Sequence, residues 1–214
     1  MSIIELLAPA RVMPILIVRN PDEGVRVAQA LYDGGIRVVE ITLRTPAAVD
    51  AILAIRQAVP ALTVGAGTVV TPGQVEAVVA AGAHFGVSPG FSEGLLRAVL
   101  ASPLPFLPGV MTPSDIICAL EFGFSVMKLF PATQAGGIPM LRALAGPFPE
   151  LRFCPTGGID ARTAPDYLRM PNVICVGGSW LAPEALVAKG DWEAIRSLAA
   201  AASALDTNSG STAH

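Results

Sequence analysis

The stretch FGFSVMKLFPA, residues 122–132, sets one lysine inside an otherwise apolar run, in a chain whose only lysines are Lys128 and Lys189. Buried charge is costly, so a group placed this way is either paired or functional. A lysine in a low-dielectric setting loses preference for its ammonium form, and the free amine can attack a ketone. Loss of water then leaves an iminium that withdraws electrons from the adjacent carbon–carbon bond. A second run, VVEITLR at 38–44, carries an acid and a guanidinium. Alternation along a strand puts Glu40, Thr42 and Arg44 on one face and Val39, Ile41 and Leu43 on the other. Glu40 and Arg44 are therefore expected to point inward, as is Lys128, which shares a face with Phe130. Glu40 is the best candidate for moving protons at a reacting carbon, although a nearby carboxylate also favours a charged lysine. Arg44 offers a planar fork for a carboxylate. The competing reading is a structural ion-pair cluster bridging strands, but buried ion pairs stabilise weakly.

Such residues need a scaffold, and the chain repeats one. Short β-branched runs begin at residues 12, 38, 63, 84, 105, 125, 152 and 173, so successive starts lie 20 to 27 residues apart. That is room for a strand, a turn and a helix of about three turns. Between the runs lie helix openings: NPDEGVRVAQALYDGG, with Pro behind Asn, acids in its first turn and Gly-Gly at its end, and three Thr-Pro starts at 45, 71 and 112. Proline at the first helical position, behind a capping Thr or Asn, suits the missing amide of a helix start. Eight strand–helix units predict an α/β fold, a (β/α)8 TIM barrel. A doubly wound sheet would show a glycine-rich fingerprint after its first strand, where VRNPDEG stands instead. We expect one domain over residues 1–206, with MSIIELLAPA a short N-terminal helix over the barrel bottom. Residues 207–214, small and polar, are expected to form a disordered tail.

Composition excludes several classes. Apolar residues make up 52% and aromatics only 6%, and mean hydropathy is +0.59. Such aliphatic content suits parallel strands covered on both faces. The apolar runs, such as VMPILIV, are far shorter than the ~20 residues of a membrane span, and the N-terminus does not read as a secretory signal. A net charge of −3 and the lack of a basic stripe argue against nucleic acid. Cys118, Cys154 and Cys175 form no close-spaced pair in sequence, which fits a reducing cytoplasm. Of two histidines, His214 ends the polar tail and His84 starts the fourth strand, on the wrong side for catalysis, so a histidine-rich metal site is not expected.

Barrel sites lie at the C-terminal ends of strands. Reading those ends gives Glu40 and Arg44, Thr68, Ser88-Pro89-Gly90, Pro108-Gly109, Lys128 with Phe130 and Pro131, Thr156-Gly157-Gly158, and Gly177-Gly178-Ser179. Phosphate commonly binds after strands seven and eight, where PTGGID and GGSW stand, and Ser179 adds a hydroxyl.

The segments GGIRVVEITLRTPAA, VGAGTV, GVSPGF, PFLPGVMTPSDI, MKLFPA, AGPFPELRFCPTGGI and VGGSWL, in this order, resemble the 2-keto-3-deoxy-6-phosphogluconate and 4-hydroxy-2-oxoglutarate aldolases from about residue 12 to 181. The resemblance implies a Schiff base on Lys128 and general acid/base work by Glu40, through a water. It implies that Arg44 and Thr68 hold the pyruvate end, that Pro89 and Phe130 line the pocket, and that Thr156 contacts substrate hydroxyls. Gly157, Gly158, Gly178 and Ser179 would surround the phosphate. It further implies reversible cleavage of 2-dehydro-3-deoxy-6-phospho-D-gluconate, no metal or other cofactor, a small-molecule keto acid as partner, and a homotrimer. The rivals are the galactonate-configured isomer as substrate, 4-hydroxy-2-oxoglutarate, a phosphosugar isomerase or epimerase, and a catalytically silent phosphate-binding barrel.

Overall fold

The computed structural model describes residues 1–205; Asp206 and the expected tail at 207–214 lie outside the described residues. The strands are β1 (Val12–Leu16), β2 (Val38–Thr42), β3 (Thr63–Gly67), β4 (Phe85–Val87), β5 (Phe106–Leu107), β6 (Gly109–Val110), β7 (Val126–Leu129), β8 (Arg152–Pro155) and β9 (Val176–Gly178). The helices are α1 (Ile3–Leu7), α2 (Pro21–Asp33), α3 (Ala48–Ala58), α4 (Pro72–Ala80), α5 (Glu93–Leu100), α6 (Pro113–Glu121), α7 (Gly137–Leu144), α8 (Ala164–Leu168), α9 (Glu184–Lys189) and α10 (Trp192–Ser203). Strand and helix alternate along the chain, giving an α/β fold whose named strand pairs are all parallel.

Helix starts follow the sequence cues in three of four cases. Asn20 caps α2, and Thr71 and Thr112 cap α4 and α6 in reciprocal boxes with Gln74 and Asp115, each with Pro next in line. The exception is Thr45-Pro46. Helix α3 opens two residues later behind Ala47, which has no capping side chain, because the Thr45 hydroxyl donates instead to the Val18 carbonyl at 2.6 Å. That bond ties the loop after β2 to the loop after β1.

Six strands run in the order β5-β4-β3-β2-β1-β9 and three in the order β6-β7-β8. The fifth expected run is therefore two short strands with Pro108 between them. Leu107 pairs with Val87 of β4, while Gly109 pairs with Lys128 of β7. Proline has no amide to donate, and the ladder changes partner there. On the far side, single parallel bridges join Phe153 to Val173 and Thr156 to Gly177, linking β8 to the segment that enters β9.

All five residues of β2 are buried, as expected of a strand covered on both faces, and alternate residues join different cores. Val39 and Ile41 pack in the large aliphatic core with the helices, whereas Val38 joins Met13, Phe85, Val87, Leu107, Val126, Cys154 and Cys175 in an inner one. Leu6 and Leu7 of α1 and Ala10 complete that inner cluster. The N-terminal helix thus covers the end of the interior from which the strands start.

Candidate active site

Lys128 is the third residue of β7, in register with Gly109 on one side and Cys154 on the other. Glu40 is the third residue of β2, in register with Ile15 and Gly65. Strands β2 and β7 are not neighbours, yet Lys128 Nζ lies 3.4 Å from Glu40 Oε1. The pair therefore meets across the inside of the sheet. Both side chains are buried, at 6% and 1% exposure. Glu40 Oε2 has no hydrogen-bond partner among the described residues. A carboxylate out of water with an unused oxygen is costly as a structural element; it is well suited to receive a substrate proton. The Phe130 ring centroid lies 5.1 Å from Nζ and forms an adjoining wall.

Space for this carboxylate comes from a residue that sequence reasoning passed over. A β-carbon on Gly67 would stand 2.6 Å from Cγ and Cδ of Glu40. Glycine inside a strand signals such a close approach, and VGAGTV carried that signal.

The other expected residues gather at the C-terminal ends of the strands with more varied surroundings. Thr68 follows β3 with φ of +60, a left-handed conformation that a β-branched residue adopts only under constraint. Pro89 is half-buried after β4, its backbone packed on Gly109, and the neighbouring Ser88 hydroxyl accepts from the Gly109 amide at 3.3 Å. Thr156 is 2% exposed, and its hydroxyl fills the place a β-carbon of Gly177 would take. Arg44 departs from expectation. Strand β2 stops at Thr42, so Arg44 sits in the following turn, solvent-exposed. The interior of the sheet thus holds two of the three expected charged groups, and Arg44 stands at the rim with no acidic partner among the described residues.

The glycines divide by cause. Gly157 and Gly158 have φ of +103 and +75, which glycine tolerates, and they press on Pro131 and Thr133. The Gly157 amide belongs to the Thr156–Gly177 bridge, while no printed hydrogen bond uses the Gly158 amide among the described residues. Gly178 is buried within β9, and its missing side chain makes room for the Trp180 ring. Ser179 is exposed, with no partner for its hydroxyl among the described residues. Beneath the site, the Cys175 thiol donates to the Cys154 sulfur at 3.4 Å, and Cys154 lies 3.8 Å from the Thr156 hydroxyl. The hydrogen bond to Cys154 first, and burial next, push the Cys175 thiol well up.

His84 stands at the start of β4 as expected, away from this end. Its Nδ1 accepts from the Val64 amide at 2.9 Å, and Arg56 Nη1 lies 2.6 Å from Nε2. Among the described residues, no helix is long and apolar enough to cross a membrane.

A buried lysine–carboxylate couple on parallel strands is an arrangement for imine chemistry, and comparison with known proteins gives it a family. The family described as aldolase, KDPG and KHG aldolase, matches residues 3–198. The KHG/KDPG aldolase of Escherichia coli K12 is 45% identical over 194 residues, 91% of each chain. The crystal structure of KDPG aldolase from Legionella pneumophila, with pyruvate captured at low pH as a covalent carbinolamine intermediate, superposes with a TM-score of 0.92 at 44% identity, over 94% of this chain and 98% of that one. The Zymomonas mobilis ZM4 2-keto-3-deoxy-6-phosphogluconate aldolase with 3-phosphoglycerate gives 0.90 at 41%, over 95% and 96%. The chain belongs to the KDPG and KHG aldolase family, and is an aldolase of the carbon–carbon lyase class.

Proposed function

We propose that this chain is a class I aldolase that reversibly cleaves 2-dehydro-3-deoxy-6-phospho-D-gluconate to pyruvate and D-glyceraldehyde 3-phosphate, with Lys128 as the nucleophile and Glu40 as the acid/base. The observation that carries the reading is the buried couple: Nζ at 3.4 Å from Oε1, with Oε2 unpartnered among the described residues. The covalent pyruvate carbinolamine in the Legionella relative supports it.

Lys128 adds as the amine to the C2 carbonyl, and the carbinolamine loses water to give an iminium. Glu40, directly or through a water, takes the proton of the C4 hydroxyl. The C3–C4 bond breaks, its electron pair moving into the iminium, and the aldehyde leaves. The resulting enamine is reprotonated at C3, and water hydrolyses the imine to release pyruvate and the free amine. Arg44, at the rim without an acidic partner, is placed to hold the substrate carboxylate as a fork, beside Thr68. Pro89 and Phe130 line the pocket, and Thr156 meets a substrate hydroxyl. The turn at Gly157 and the Gly158 amide, with the Ser179 hydroxyl, receive the phosphate. Gly178 serves that end indirectly, by letting Trp180 pack.

The scaffold belongs to the same reading: one domain in which the strands close into an eightfold barrel. Supporting closure are the Thr156–Gly177 bridge, the passage from β5 to β6 through Pro108, and the contact of β2 with β7 across the interior. We place the enzyme in the cytoplasm as a homotrimer, the location being consistent with its three free cysteines. Exposed Leu100, Ile117 and Leu120 on α5 and α6 are apolar surface available to an interface.

The decisive experiment incubates the protein with pyruvate and borohydride and maps the modified peptide. An adduct on Lys128, absent from Lys128→Ala, is expected. Activity surviving in Lys128→Ala without an adduct would overturn the assignment. Comparing kcat/KM for the gluconate and galactonate isomers and 4-hydroxy-2-oxoglutarate then ranks the substrates, with the gluconate form expected first.

A further inference from the structure

A cavity of about 300 Å³ opens where the chain leaves β1 and β9. Its apolar walls include Ile15, Ile17, Ala182 and Val187, and Ser179 lies among them. Ile15 ties this space to the catalytic couple. Its Cα is in register with Glu40, and its Cδ1 would lie 3.2 Å from a β-carbon on Gly177, whose other flank is the Thr156 side chain. The cavity therefore begins beside the catalytic strands and runs outward past Ser179.

Its mouth is charged. Arg19, Glu23 and Glu184 line it, so one guanidinium faces two carboxylates. Arg19 Nη2 donates to Glu184 Oε1 at 2.6 Å, while the Arg19 amide donates to Glu23. Arg19 and Glu184 are 48% and 86% exposed, and an ion pair so open to water holds its partners weakly. A phosphate dianion is a stronger and geometrically better partner for a guanidinium fork.

We propose that this cavity takes the phosphate end of the substrate and that Arg19 is its counter-charge, exchanging Glu184 for the phosphate on binding. The inference rests on the aldolase reading above and adds to it a specificity residue and a resting partner that holds it. In the free enzyme Glu184 neutralises Arg19 and keeps it over the cavity. With substrate bound, the guanidinium closes on the phosphate from the solvent side while the Gly158 amide and Ser179 hold it from within. Glu184, mostly in water already, swings away at little cost. Substrates lacking the phosphate leave the Arg19–Glu184 pair intact.

The test measures kcat/KM for 2-dehydro-3-deoxy-6-phosphogluconate and for 4-hydroxy-2-oxoglutarate in wild type, Arg19→Gln, Arg19→Lys and Glu184→Gln, with melting temperature as a folding control. In Arg19→Gln the ratio of the two values should fall roughly ten- to hundredfold through KM for the phosphorylated substrate, the loss expected for a charged hydrogen-bond partner. Arg19→Lys should recover part of it. Glu184→Gln should move the ratio the other way, because Arg19 is then free. Arg19→Gln acting equally on both substrates, or on neither, overturns the inference while the aldolase reading stands. Wild type that traps no pyruvate at Lys128 overturns both.

Discussion

Gly67 lies directly against the carboxylate of Glu40, in register with Thr42, two residues further along β2. Its φ is not among the positive ones, so alanine fits the backbone and the nearest conflict is with the Glu40 side chain. Gly67→Ala should push the carboxylate off Lys128 and lower kcat by about a hundredfold or more, the range of general acid–base contributions. Pyruvate should still form its adduct on Lys128. Adding Glu40→Asp, which shortens the acid, should recover activity relative to Gly67→Ala. A Gly67→Ala enzyme with wild-type kcat would show that the close approach is incidental.

On the proposed chemistry, the Lys128–Glu40 couple serves catalysis at the expense of stability. Removing only the lysine leaves a buried carboxylate alone, and breaking such a pair costs about 3–5 kcal/mol. Lys128→Ala should therefore unfold at lower urea concentration. Lys128→Met with Glu40→Leu should match or exceed wild-type stability while being inactive, since apolar replacements of a buried pair are often neutral or stabilising. Equal stability of Lys128→Ala and wild type would contradict this.

His84 makes the fold acid-sensitive. Burial first, then the Arg56 guanidinium, hold its pKa below the usual histidine value. Unfolded, it takes up a proton near pH 6.5; folded, it does so only at lower pH. Its contribution is thus complete above about 6.5 and is lost as pH falls through the folded value. The melting temperature should drop more steeply on acidification in wild type than in His84→Gln, which cannot charge. Parallel pH profiles would sink the assignment.

Three thiols should react at different rates. Cys154 and Cys175 are fully buried, and the Cys175 thiol is pushed well up, so little of its thiolate forms. Iodoacetamide on the native protein should label Cys118, which is partly exposed, and reach the other two only after unfolding. Rapid native labelling of Cys175 would mean that the inner core opens readily.

Much of this was legible from residue types. The strand–helix alternation came from β-branched runs at regular spacing, and the inward direction of Glu40 and Lys128 from a period of two. Several local details were not legible. Arg44 falls outside the sheet because β2 ends at Thr42, and end points depend on pairing across strands rather than on propensity. The break at Pro108 was visible as a proline, but its meaning lies in which strand each flank pairs with. Thr45 reads as a helix cap until the Val18 carbonyl claims its hydroxyl. The sulfur contact between Cys154 and Cys175 joins residues on neighbouring segments, invisible to spacing along the chain. Glycines proved ambiguous for a similar reason: Gly157 and Gly178 look alike in sequence, yet one turns the chain at positive φ and the other accommodates an indole.

Leu6, Leu7 and Ala10 stopper one end of the interior, so in the proposed closed barrel substrate and both products share the opposite doorway. On the proposed chemistry this imposes a queue. The aldehyde fragment lies nearer the exit and departs first, while the three-carbon half stays tethered to the amine until water arrives through the space just vacated. Cleavage should thus behave as an ordered release, with pyruvate last to leave and, in the synthetic direction, first to enter.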